Sequence, residues 1–144
     1  MRTISRSALV PVTAEQMFVL VDDIEAYPDF LPWCSRAEVH SRDDNKVEAT
    51  LELHRGIIRK SFTTLNETVH GESISLALAN GPFRYLQGGW AFRALGDAGS
   101  KVSFNLEFEY DNPMTNVVFA PLFEETCNSL VDAFTQRAID VYDP

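Results

Sequence analysis

From Cys34 onward, for some seventy residues, the apolar side chains of this chain recur at every second position, and after Asn112-Pro113 they recur at helical spacing. No other feature restricts the fold as much. Successive side chains of a strand point to opposite faces, whereas a helix brings positions three and four apart onto one face. Val47, Ala49, Leu51 and Leu53 alternate with Glu48, Thr50, Glu52 and His54, which predicts a strand with one wet face and hence an antiparallel sheet. The same alternation sets Ile74, Leu76 and Leu78 against Ser73, Ser75 and Ala77, and Trp90, Phe92 and Ala94 against Ala91 and Arg93. It also sets Val102, Phe104, Leu106, Phe108 and Tyr110 against Ser103, Asn105, Glu107 and Glu109. Short polar links such as Asp43-Asp44-Asn45 and Gly96-Asp97-Ala98-Gly99 predict hairpins between these strands.

Helical signals flank this region. Residues about 2 to 10 read as a first strand, broken by Pro11. Thr13 then caps a helix, with Gln16 reaching back as its capping-box partner and Ala14, Met17, Phe18 and Val21 on one face. Asp22 and Glu25 repeat that pattern for a second short helix, expected to end near Tyr27 because Pro28 disfavours the α conformation before it. The run Tyr27-Pro28-Asp29-Phe30-Leu31-Pro32-Trp33-Cys34 predicts a proline-pinned aromatic turn that covers something apolar. At the other end Phe119, Leu122, Phe123, Cys127, Leu130, Val131, Phe134, Ala138 and Val141 keep helical spacing for about seven turns. Pro121 is expected to kink that helix or delay its regular part to about residue 122.

The predicted order is a strand, two short helices, six strands and one long helix, an α+β domain covering residues 1–144 with no internal repeat or linker. A curved antiparallel sheet covered by a single long helix leaves a volume that side chains do not fill, and an aromatic-lined cavity suits an apolar small molecule. From the turn and strands the candidate lining is Tyr27, Phe30, Trp33, Leu51, Phe62, Leu76, Phe83, Trp90, Phe92, Phe104 and Phe108. The last helix adds Phe119, Phe123, Leu130 and Phe134. Ordinary core packing explains each of these singly as well; only the set favours a cavity. Tyr27 and Trp33 also carry polar ends able to orient a ligand oxygen.

Charge and motif content narrow the function. With 12 basic and 21 acidic residues the net charge is −9, which argues against a broad nucleic-acid surface and against DNA as a partner. The densest basic group, Arg55, Arg59 and Lys60, is read as one solvated strand end, as are Arg84 and Arg93. The longest apolar runs fall far short of the roughly 18 residues a membrane span needs, and the N-terminus has no apolar secretory core, so the expected location is the cytoplasm. Cys34 and Cys127 are far apart and are expected to be free, buried thiols. His40, His54 and His70 lie on different segments, without the spacing of a metal site or a triad. There is no nucleophile elbow, phosphate loop or dinucleotide fingerprint, so no catalytic residue is assigned. Glu124-Glu125 are accounted for by the dipole of the long helix. Gly81-Pro82-Phe83 reads as a turn or a gate, and Gly88-Gly89 as a bulge that curves the sheet.

Three separated motifs add a resemblance: Tyr27 to Cys34; Gly81-Pro82-Phe83 followed by Leu86, Gly88, Trp90 and Phe92; and Ala133-Phe134 with Arg137-Ala138. In this order they resemble the coenzyme Q-binding branch of the START and Bet v 1-like superfamily, which also holds polyketide cyclases and lipid carriers. The resemblance spans essentially the whole chain and implies the helix-grip fold, a sheet of about seven strands around the C-terminal helix. It implies a polyprenyl quinone such as ubiquinone, or a related lipid, bound without any required cofactor and in support of respiratory electron transport. Such a cargo entails transient contact with the inner membrane. For some bacterial members the resemblance implies binding of the large ribosomal subunit and obstruction of subunit joining, an activity that a charge of −9 suits poorly. A cyclase or aromatase that shapes a polyketide chain in the cavity is the third expectation.

Overall fold

Six strands follow one another as a meander because each alternating segment ends in a turn too short for anything but an antiparallel return. In the computed structural model, which describes residues 1–144, they are β2 (Cys34–Asp43), β3 (Lys46–Arg55), β4 (Ile58–Val69), β5 (Ser73–Asn80), β6 (Phe83–Leu95) and β7 (Gly99–Tyr110). The first strand, β1 (Arg2–Val10), pairs with β7, so the seven-stranded sheet has the order β1-β7-β6-β5-β4-β3-β2. With α3 (Ala120–Tyr142) laid across it, this is the α+β helix-grip architecture of START and Bet v 1-like proteins. One cluster of 31 buried hydrophobic residues forms the core, so the two ends of the chain close a single unit.

The first helix, α1 (Ala14–Asp22), begins where the sequence places it. Thr13 Oγ1 accepts from the Gln16 backbone N–H at 3.1 Å, and Gln16 Oε1 accepts from the Thr13 N–H at 2.9 Å. Such a cap stabilises a helix by about 1 kcal/mol.

The next segment departs from expectation. It is a 3₁₀ helix, Ile24–Asp29, that contains Pro28 instead of stopping before it, and Asp23, without a side-chain cap bond, takes the N-cap place expected of Asp22. Asp22 belongs to α1 and accepts from Arg42 at 3.0 Å. Tyr27 fixes the segment to α1 by donating its hydroxyl hydrogen to the Val21 carbonyl.

The C-terminal region is two helices, not one. Asn112 caps α2 (Pro113–Val118) by accepting from the Thr115 N–H at 3.0 Å, Phe119 forms the junction, and Pro121 lies in the first turn of α3. In that turn the missing N–H of proline has no intrahelical acceptor to lose, so the helix tolerates it without a kink in its body. The buried face of α3 carries Leu122, Phe123, Thr126, Cys127, Val131, Phe134 and Ala138.

Glu124 and Glu125, expected to serve the helix dipole, instead tether α3. Arg2 of β1 donates to both Glu124 oxygens at 3.0 and 2.8 Å, and Tyr110 donates to the same carboxylate at 2.9 Å. Arg6 donates to Asn128 Oδ1 one turn later at 2.8 Å, and Arg55 of β3 donates to Glu125 at 2.9 Å from the opposite side.

Gly88 and Gly89 do not form the expected bulge, because β6 and β7 stay in register from Leu86↔Phe108 to Leu95↔Gly99. They allow close approach instead. A Cβ on Gly88 would lie 2.0 Å from the Asn105 carbonyl oxygen, and one on Gly89 would lie 2.3 Å from that of Ile74. The register shifts fall elsewhere, among them one between Phe83 and Tyr85 beside the Gly81 turn.

Candidate ligand cavity

Between the inward face of the sheet and α3 lies a cavity of about 80 Å³, lined by 19 residues of which 16 are hydrophobic. Four strands contribute to its floor in register: Asn66 of β4 stands opposite Leu76 of β5, which stands opposite Gly88 of β6, which stands opposite Leu106 of β7. Gly88 adds no side chain to that row, because a Cβ there would run into the β7 backbone. Phe123, Thr126, Cys127, Leu130 and Phe134 of α3 line the opposite wall.

The lining is unevenly covered. Trp33, Leu51, Phe62, Leu76 and Leu130 are half-buried, whereas Trp90, Phe104, Asn66 and Thr126 are buried. The Arg55–Glu125 ion pair joins the end of β3 to α3.

Ten of the fifteen sequence candidates line this cavity: Tyr27, Trp33, Leu51, Phe62, Leu76, Trp90, Phe104, Phe123, Leu130 and Phe134. The other five do not. Phe83 stacks on Tyr110, Phe108 and Phe119 meet Tyr110 edge-on, and all three pack edge-on or tilted against Phe123, filling the α2 end of the sheet. Phe92 is sandwiched between Phe18 and Trp90, and Phe30 lies against Tyr27 and Phe134 under the Arg137 guanidinium, 4.8 Å from its ring centre. Phe83, Phe92, Phe108 and Phe119 are buried, and the space in front of them is occupied by other rings.

Sequence reasoning also missed lining residues. Ala49, Leu53, Leu86 and Leu106 share the inward period of strands already recognised, and Ile24 and Cys127 fall on buried helical faces. Thr64 and Asn66 carry no apolar signal at all, yet they are buried on β4 with the Thr64 hydroxyl donating to Asn66 Oδ1 at 2.7 Å. Thr126 lines the cavity with a buried hydroxyl that has no hydrogen-bond partner.

The ionisable groups in this region are held neutral. Desolvation raises the pKa of Tyr27, with the Asp22 carboxylate adding to it, and burial likewise pushes up the Cys127 thiol. Burial raises the Cys34 thiol to about 11, and both thiols are free and buried. The histidines stand apart: His40 meets Thr50, His54 meets the Gly56 carbonyl and His70 packs against Phe18. Arg59 and Arg84 face Glu52 and Glu109 at 3.8 and 3.7 Å, so with Arg55 paired as well the basic strand end is largely neutralised.

No helix of the chain is long and apolar enough to cross a membrane. Residues 10–135 match the family described as polyketide cyclase / dehydrase and lipid transport. The chain is 43% identical to the ribosome association toxin RatA of Pseudomonas aeruginosa across 96% of both proteins. It is 25% identical to the mitochondrial coenzyme Q-binding protein COQ10 of Drosophila melanogaster, covering 94% of this chain and 58% of that one. In three dimensions it superposes on a START superfamily protein from Mycobacterium smegmatis with a TM-score of 0.80 and 21% identity, over 96% of this chain and 98% of the other.

Proposed function

This chain belongs to the polyketide cyclase/dehydrase and lipid transport family, and from that premise we propose that it is a ribosome-association toxin that binds the large ribosomal subunit and obstructs subunit joining. The observation that carries this reading is likeness in sequence to RatA, 43% identical over 139 residues that make up 96% of each protein. In this reading the protein acts by binding, without a catalytic step, and works in the cytoplasm where ribosomes are. The test is sedimentation with purified subunits. Co-migration with the large subunit, a smaller joined-ribosome peak and arrested growth on overexpression are expected. A protein that stays at the top of the gradient and leaves the joined peak unchanged contradicts the proposal.

The apolar cavity supports a second activity, carriage of a hydrophobic small molecule such as a polyprenyl quinone. Burying apolar surface stabilises such a complex by roughly 25 cal/mol per Å². Ligand sites of drug-sized molecules span about 300–1,000 Å³, so at about 80 Å³ this cavity holds a small ring or head, and a longer tail must part the half-buried side chains of its lining. Mass spectrometry of lipids co-purifying with the native protein tests this. A stoichiometric quinone, lost in Phe104→Asp, is the expected result, and an empty wild-type protein speaks against it.

A further inference from the structure

Among the cavity's apolar walls three polar side chains stand out, and their hydrogen bonds are incomplete. Thr126 is 4% exposed, and its hydroxyl has no partner. Other hydroxyls of the same helix do not behave this way: Ser129 and Thr135 bond back to the carbonyls of Thr126 and Val131 at 3.0 and 2.7 Å. A helical threonine has that option by default, so a buried hydroxyl that forgoes it is left with its desolvation uncompensated. Across the cavity Asn66 accepts from Thr64 through Oδ1, which leaves its two amide hydrogens available to whatever occupies the space. Both groups line the same cavity.

The composition of the walls also says what the occupant is not. Apart from the two groups held neutral there, Tyr27 and Cys127, nothing lining the cavity titrates, so no countercharge awaits a carboxylate, phosphate or ammonium head. A charge brought in without one would meet a prohibitive desolvation cost. Asn66, its Oδ1 engaged by Thr64, has hydrogens to offer and the Thr126 hydroxyl can supply one as well, so together they select an acceptor. Half-buried Trp33, Leu51, Phe62, Leu76 and Leu130 suit an apolar remainder.

We propose that Thr126 and Asn66, buried polar groups in an otherwise apolar lining, form a hydrogen-bonding seat for the carbonyl oxygen of an uncharged molecule, whose apolar part lies against the half-buried side chains of the same cavity. Thr64 is a positioning residue that fixes the Asn66 amide. This inference rests on the reading of the cavity as a ligand site and adds the chemistry and orientation of the ligand. The competing account is that ordered water satisfies these groups, since a cavity of this size and polarity can hold it.

Calorimetric titration with acetophenone and with ethylbenzene, which has the same ring and chain length but no oxygen, separates these accounts; benzoate serves as the charged control. The wild type is expected to bind acetophenone and ethylbenzene and to reject benzoate at neutral pH. Thr126→Val and Asn66→Leu should each lower the ratio of acetophenone to ethylbenzene affinity by about tenfold, the effect of leaving a buried carbonyl unpaired. Thr126→Val removes an unpartnered hydroxyl without changing shape, so it should fold with a Tm no lower than wild type and keep the test valid if Asn66→Leu is unstable. A ratio unchanged in Thr126→Val, or a wild type that takes ethylbenzene but not acetophenone, overturns the seat while leaving the cavity a ligand site. A wild type that binds neither probe overturns both.

Discussion

Cys34 and Cys127 are individually inert for a physical reason that can be measured. Burial favours the neutral thiol, raising Cys34 from 9.0 to about 11 and Cys127 further. A folded-state pKa above the unfolded one means that the native state holds its proton more tightly, so stability is complete below pH 9 and declines as pH rises from 9 through 11. Cys34 should contribute on the order of 1 kcal/mol to that decline. Urea midpoints should therefore fall between pH 8 and 10.5, and less steeply in Cys34→Ala than in wild type. Parallel losses in the two proteins would show that the thiol is not the titrating group. The polar lining residues make a related point about reading single positions. Thr64 and Asn66 occupy inward places on β4, but hydrophobicity is the signal by which inward places are recognised, so a buried polar pair is invisible to it. Only the pairing register exposes them.

At the scale of elements, Gly88 decides the shape of the sheet. Its missing Cβ would meet backbone atoms of β7 at 2.0 to 2.9 Å, and backbone in a paired strand cannot move aside as a flexible side chain can. Gly88→Ala should therefore destabilise by about 3 kcal/mol or more, or fail to fold. A thermal melt of this variant within a degree of wild type would refute the close-approach account. Gly96, with nothing within 4 Å of the same hypothetical atom, is crowded by no such neighbour, although its φ of +69° is strained for other residues.

The capping box of Thr13 and Gln16 was legible because it is a purely local arrangement, and the alternating strands because their period is local too. Less legible were the features set by three-dimensional context. Pro28 is accommodated in a 3₁₀ turn anchored by Tyr27 on α1, and the aromatic set divides at a line that no periodicity marks. Phe104 and Trp90 face the cavity, whereas Phe108 and Phe92, on the same inward faces, meet other rings.

For the molecule as a whole, net charge and charge pairing set what the proposed ribosome binding can draw on. Most arginines are already engaged by carboxylates: Arg2, Arg36, Arg42, Arg55, Arg59 and Arg84 all face Asp or Glu within 4.0 Å. Arg93 and Lys101 are different. They stand directly opposite each other on β6 and β7, an unfavourable like-charge pairing, and neither is in an ion pair. Lys46 and Lys60 are also exposed and outside ion pairs, but Lys46 stands opposite Asp43 and Glu67 and Lys60 stands opposite Leu53. The adjacent like-charged pair is therefore the natural point of contact with a phosphate. With about two phosphates neutralised, doubling the salt concentration should weaken ribosome binding by only about threefold. A tenfold or steeper loss in the same sedimentation assay would show a broad RNA contact that the paired arginines do not provide.

The placement of β1 has a consequence in time. Arg2–Val10 is the first strand to leave the translating ribosome, and its partner, Ser100–Phe108, is among the last. Until β7 exists the first strand has no neighbour, and until α3 follows Arg2 and Arg6 have nothing to grip. Pairings this distant along the chain delay folding. The sheet therefore cannot close until β7 and α3 have been made, and a nascent copy stalled short of α3 is a sheet with its apolar face uncovered.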